Sequence, residues 1–252
     1  MFDYQTQPTT ALWQPKISRR APMPDNEERY STLQELQALL QYKDHLQHDN
    51  QGDLFRRRRL KEGQSAVQMG QPFDGLYVVR LGTLKSLITN ADGGMHVLSF
   101  PMKGNLLGFD GIYKNSYMSD VVALTDCDLI RIPASELFSS GRSNNHLEHM
   151  AYWASSREII QEQMAYSLTR SVKSEARVAR FLQTMSQRFA DLGYSPNRFI
   201  LPMTRRDIGH HLSVTVETVS RAFSALVQLG IITVDFREIN ILSHDALFNF
   251  ER

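Results

Sequence analysis

Residues Met203–Leu229 read MTRRDIGHHLSVTVETVSRAFSALVQL, and their spacing predicts two helices joined by a short turn. Thr204 stands where its hydroxyl can cap the first helix; Asp207, three residues on, can reach back to it and suits the positive helix end. Ile208 and Leu212 share one face, and Gly209 between them lets a second helix approach closely. Ser213 and Val214 form the turn and Thr215 caps again. Val216, Val219, Phe223 and Leu226 then recur at helical spacing, which leaves Glu217, Ser220 and Arg221 on the opposite face.

Those three side chains suit the base edges of a major groove. Arginine gives two hydrogen bonds to guanine O6 and N7, glutamate accepts from cytosine N4, and serine reaches several edges. On spacing alone, the solvated face of an ordinary helical hairpin fits as well. Charge narrows the choice. The whole chain carries only +1, but Arg170 to Arg221 holds nine basic residues against four acidic ones, so positive charge gathers around the helix pair. Gly230 ends the second helix, and Ile231–Asp235 and Glu238–Leu242 alternate as two strands of a small wing that turn at Phe236-Arg237.

The run Thr204-Arg205-Arg206-Asp207-Ile208-Gly209, with Leu212 and Val216-Glu217-Thr218-Val219-Ser220-Arg221, resembles the recognition motif of the CRP/FNR transcription regulators. Its Glu-x-x-Ser-Arg order resembles the fumarate and nitrate reductase regulator branch, whose members read TTGAT-type half-sites; the cyclic-AMP receptor branch usually has a second arginine where Ser220 stands. The resemblance implies double-stranded DNA as partner, with Glu217, Ser220 and Arg221 on bases. Thr204, Arg205, Arg206, Thr215, Thr218 and Arg237 are expected on phosphates.

At 252 residues the chain exceeds one typical domain. The fold expected is α+β: an N-terminal antiparallel double-stranded β-helix (jelly-roll) barrel, a long dimerisation helix and a C-terminal winged helix-turn-helix. Residues 1–28 are polar and aperiodic, and are read as a mobile tail. Residues 29–143 hold a helix over Ser31–Leu46, with Leu33, Leu36, Leu39 and Leu40 on one face, and then short apolar runs broken by Gly, Asp and Asn, the mark of a double-sheet barrel. Residues 144–170 are the long helix, and 171–252 the DNA-binding domain. The arginine run Arg56–Arg59 reads as a charged edge strand.

The barrel segments Gly63-Gln64, Leu81-Gly82-Thr83-Leu84-Lys85 and Gly108-Phe109-Asp110 resemble the sensor domain of the same family. Members that bind a cyclic nucleotide use a Gly-Glu-Leu step for the ribose and a following Arg-Ser or Arg-Thr for the phosphate. Here the matching residues are Gly104-Asn105-Leu106 and Tyr117-Met118-Ser119. A cyclic phosphate would meet no cation there, so cyclic-AMP dependence is not expected. The cluster-bearing branch holds iron and sulfur on four cysteines. Cys127 falls where the barrel cysteine lies, but it is the only cysteine in the chain, so no cluster, and no other cofactor or metal, is expected. His96 with Met95 as haem ligands, and Cys127 as a redox thiol, are the alternative sensors. Each has a plainer reading, as a strand residue and a small buried hydrophobe.

Asn144 to Thr169 contains no Pro or Gly and spans about 39 Å at 1.5 Å per residue. Leu147, Met150, Ala154, Ile160, Met164 and Leu168 suit packing on the barrel, whereas Tyr152, Ser155, Ile159, Glu162 and Tyr166 follow the three-four spacing of a coiled-coil seam and are the expected homodimer interface. Glu162 would face its own copy there and weaken association. The chain lacks Gly-x-Ser-x-Gly, P-loop, Gly-x-Gly-x-x-Gly and His-Glu-x-x-His patterns, so no enzyme is expected. No window approaches the roughly 20 apolar residues of a membrane span, and the lone cysteine suits the cytoplasm. RNA polymerase is the expected further partner; Asp92 is the only acidic residue of the turn over residues 90–95. A cyclic-nucleotide module without DNA binding, or an effector-sensing regulator of the same fold, are the rival functions.

Overall fold

The alternation of apolar and polar residues through the first half of the chain builds two antiparallel sheets. In the computed structural model, which describes residues 30–43, 54–90, 92–138, 146–170 and 173–251, β1 (Tyr30–Thr32) leads into α1 (Leu33–Leu40). The strands β2 (Leu54–Leu60), β3 (Ser65–Val67), β4 (Gly75–Leu81), β5 (Leu84–Thr89), β6 (Met95–Ser99), β7 (Leu106–Leu107), β8 (Asp120–Ala123) and β9 (Cys127–Pro133) follow. One sheet runs β1-β2-β9-β4-β7 and the other β3-β8-β5-β6. Their inner faces meet in a core that includes Val67, Leu76, Val78, Leu84, Leu106, Tyr117, Leu129 and Ile132. The expected tail over residues 1–28, residues 44–46 of the first helix and residues 144–145 of the long helix lie outside the described residues.

The first helix is shorter than its leucine spacing suggests. Thr32 caps it by accepting from the Glu35 amide, and Gln41 ends it in the left-handed region at φ 55°. Arg56–Arg59 is not an edge. β2 lies between β1 and β9, where Arg57 pairs with the buried Asp128 and Arg58 donates to the carbonyls of Ala66 and Ser65. These arginines serve the barrel itself. Cys127 is 4% exposed and donates to the Thr125 and Thr83 carbonyls. Burial pushes its thiol upward, away from the thiolate that redox chemistry needs.

After α2 (Ala134–Leu137) comes α3 (His146–Arg170). Leu147, Met150, Ala151 and Ala154 are buried on the barrel side. The expectation fails for Ile160 and Met164, which are exposed. The buried stripe ends at Glu158, which is acidic. Its carboxylate accepts from Asn105 Nδ2 at 2.8 Å and the Leu106 amide at 3.3 Å, and residues 159–164 beyond it are exposed. Arg157 clamps the same place, donating to the Leu40 and Gly104 carbonyls at 2.7 and 2.6 Å.

The C-terminal part comprises α4 (Ser174–Asp191), β10 (Arg198–Ile200), α5 (Arg205–Leu212), α6 (Val216–Gln228), β11 (Ile232–Asp235), β12 (Glu238–Ile241) and α7 (His244–Phe248). The wing has a third strand absent from the sequence reading, in the order β10-β12-β11. This part does not stand apart from the barrel. Leu87, Val97, Phe100 and Met102 join one apolar cluster with Phe181, Ile208, Leu212 and Phe223. His211 sits edge-on between Phe100 and Phe181, its Nδ1 3.1 Å from the Val97 carbonyl.

A buried ion pair closes the same junction: Lys85 Nζ lies 2.6 Å from Asp207 Oδ1, both largely screened from water. Burial drives the Asp207 carboxyl upward, but Lys85 and the Thr204 hydroxyl and amide outweigh it and hold the group below the usual carboxylate range. The stability this carboxylate contributes is therefore present above about pH 4 and lost as pH falls through its depressed value. Replacing Lys85 by Ala leaves Asp207 buried with only its capping bonds and should cost about 2–3 kcal/mol of stability. Denaturant unfolding at pH 7 checks this, and the loss should shrink at acid pH, where wild type loses the same pair.

Candidate nucleic-acid interface

The two helices of the turn start where their caps dictate. Thr204 Oγ1 accepts from the Asp207 amide at 3.1 Å, and Asp207 Oδ2 accepts from the Thr204 amide at 3.0 Å, a closed capping box. Thr215 caps α6 by accepting from the Thr218 amide at 3.2 Å. Between the helices Ser213 takes φ 54°, and a Cβ on Gly209 would stand 2.8 Å from the Val214 carbonyl. Only glycine lets the turn fold this tightly against α5.

α6 buries Val219, Ala222, Phe223 and Leu226 and turns Glu217, Ser220 and Arg221 to solvent. Ser224 is exposed as well. It completes the i, i+3, i+4, i+7 stripe and was missed, although the spacing alone would have found it. Glu217 is held below the usual carboxylate range, first by its own amide and then by the Thr215 hydroxyl, which keeps it an acceptor. Arg221 Nε lies 3.4 Å from Glu175 Oε1 and Nη2 donates to Thr218 Oγ1. The guanidinium is 68% exposed, so this pair is weak and leaves the group free to exchange partners.

The residues expected on phosphates divide. Thr204, Arg206 and Thr215 are exposed at the two helix starts. Thr218 is only 7% exposed, its hydroxyl 3.2 Å from that of Thr215, so it completes the cap and is not open to a phosphate. Arg205 lies over the ring of Phe223, and burial draws its guanidinium down to about 10. It covers the domain core where a free cation was expected. Arg237 is partly buried and donates to the Pro202 carbonyl at 3.3 Å. The positive charge is also thinner than the sequence count: Arg188 turns to the barrel and donates to Asn105 Oδ1, and Arg180 covers Phe248. Sequence could not show this, because each partner is far away along the chain.

On α3, Tyr152, Ile159 and Glu162 are exposed and Ser155 is partly so, on one face of the helix; the side chain of Tyr166 lies outside the described residues. Tyr152 donates to Glu148 at 2.6 Å. Glu162 is pushed above the usual carboxylate range by desolvation, then by Glu158 and Asp110. His96 is an exposed strand residue, and no cluster of metal-ligating side chains is found among the described residues. Nor is any described helix long and apolar enough to cross a membrane.

Residues 176–250 match the Crp-like helix-turn-helix domain, and residues 57–142 match the cyclic nucleotide-binding domain. The chain is 33% identical to the transcriptional regulatory protein btr of Bordetella pertussis, over 76% of this chain and 79% of that protein. It is 33% identical to the fumarate and nitrate reduction regulatory protein of Escherichia coli, over 76% and 77%. FixK2 from Bradyrhizobium japonicum shares the fold with a TM-score of 0.70 at 24% identity, over 79% of this chain and 98% of that one.

The divided roles of the two arginines can be measured. Arg205→Ala should destabilise the C-terminal domain by about 1 kcal/mol through lost cover on Phe223, with little change in the salt dependence of DNA binding. Arg206→Ala should leave stability alone and lower the slope of log affinity against log salt by about one. Thermal melts and salt titrations of binding check both.

Proposed function

This chain belongs to the CRP/FNR family of DNA-binding transcription regulators, and from that premise we propose that it acts as a homodimer on a TTGAT-type palindrome, without an iron-sulfur cluster and without cyclic AMP. The observation that carries this reading is the outward stripe of Glu217, Ser220 and Arg221 on a helix whose other face is fully buried. In a major groove, Arg221 pairs with guanine and Glu217 with the amino group of cytosine. Two such helices about 34 Å apart would read two half-sites.

Independence from cyclic AMP is supported by what occupies the matching positions. Asn105, in place of the ribose-binding glutamate, is spent on Glu158, Arg188 and the Met102 amide. Ser119 is 4% exposed and donates to Asp110, and Tyr117 is buried and bonded to Asp74. The proposed dimer seam is Tyr152, Ser155, Ile159, Glu162 and Tyr166, with residues 29–143 as the sensor-like barrel, 144–170 as the dimerisation helix and 171–252 as the DNA-binding domain. RNA polymerase is the proposed further partner, and the cytoplasm the proposed location.

A gel shift on a TTGAT palindrome tests the reading: binding should occur without cyclic AMP and be unchanged by it, and binding only in its presence would favour an effector-gated regulator. Arg221→Ala should cost about 1–3 kcal/mol of specific affinity and relax the preference for guanine at one position, as a panel of single-base operator variants would show. Glu162 carries its charge into the seam against its own copy, so ionisation opposes dimerisation. Glu162→Gln should tighten the dimer about fivefold to tenfold, roughly 1 kcal/mol, by sedimentation at pH 7.5. The difference from wild type should fade as pH falls through the raised carboxyl value and the wild-type seam protonates.

A further inference from the structure

The wing ends in an exposed aromatic side chain, Phe236. β11 and β12 pair from Ile232 with Ile241 to Asp235 with Glu238, which leaves a two-residue turn, Phe236-Arg237. Phe236 takes φ 53°, in the left-handed region that glycine or asparagine fills without steric cost and a bulky aromatic does not. Its ring is 89% exposed, with the Arg237 guanidinium 5.8 Å from its centroid, so packing offers little return for the strain or for the bare apolar surface. Strained, exposed residues of this kind collect where a ligand is met.

The turn itself is held firmly. The Leu201 amide donates to the Arg237 carbonyl at 2.9 Å, Arg237 donates to the Pro202 carbonyl, and β10 pairs with β12. The hairpin tip is thus braced two to three residues ahead of Thr204, where α5 starts. The tip carries no surplus of positive charge: Arg198 and Arg237 stand against Asp235 and Glu238, and Arg198 pairs with Glu238. What the tip offers is an aromatic face.

We propose that Phe236 is a DNA-contacting residue, its ring packing on deoxyribose at the edge of the minor groove that flanks the half-site read by α6. Duplex sugar edges present apolar C–H surface between phosphates, and minor-groove proteins do place apolar side chains against DNA, there as wedges between base steps. Such a contact adds affinity without reading base identity. The proposal rests on the DNA-binding reading above.

The test uses the full chain with Phe236→Gly, Phe236→Asn and Phe236→Tyr, and fluorescence anisotropy on a TTGAT palindrome and a scrambled duplex. The Gly and Asn variants should bind both duplexes about tenfold more weakly, while Tyr keeps wild-type affinity. Their melting temperature should equal or exceed that of wild type, because the left-handed turn is relieved; a purely structural role predicts the reverse. Hydroxyl-radical cleavage should show lost protection of sugars outside the half-site, with the half-site itself still protected. Unchanged DNA affinity of the Gly and Asn variants, with the palindrome still preferred, overturns this inference alone, and a fall only in polymerase-dependent transcription would assign the ring to a protein partner. A wild-type chain that does not distinguish the two duplexes overturns the DNA reading and this inference with it.

Discussion

Asp207 holds two structures together at once. Its carboxylate closes the capping box with Thr204 that starts α5, and it pairs with Lys85 on β5 of the barrel. The group cannot lose its charge without loosening both the helix start and the joint between the domains. α6 is set by the same anchor, since the turn closes over Gly209 only two residues further on. The direction in which Glu217 and Arg221 point is therefore a consequence of one buried ion pair and one missing side chain.

A second polar chain runs beside that joint. Arg188 on α4 donates to Asn105 on the barrel, and Asn105 donates to Glu158 on α3. One amide thus touches all three parts of the molecule. A side chain bonded on every side has little capacity left for a ligand. A network of this kind couples the long helix to the DNA-binding domain through fixed geometry, and it gives the barrel a structural task.

Much of this could be read from the sequence, for a local reason. The caps at Thr204 and Thr215, the tight turn at Gly209 and the buried stripe of α6 are set by residues three or four apart, and helical period exposes that directly. The barrel's strands were legible from alternation and turns. Thr218, taken into the cap by Thr215, is a local failure, but most of the others involve partners far apart in the chain. Arg205 reads as a phosphate contact until Phe223 is seen beneath it, Arg57 as a surface charge until Asp128 is seen on the neighbouring β9, and Ile160 and Met164 as barrel contacts until the buried stripe is seen to end at Glu158. Phe236 left a faint signal: a two-residue hairpin turn with no Gly, Asn or Asp at its first position.

On this view one exposed helical stripe, presented twice by a symmetric pair, selects a sequence. Selection from a random duplex library by the purified wild-type chain tests it most directly. Enrichment of an inverted repeat is expected, its half-sites about one helical turn apart and each with an invariant guanine. Enrichment of a single unpaired site, or recovery of the library unchanged, would contradict it.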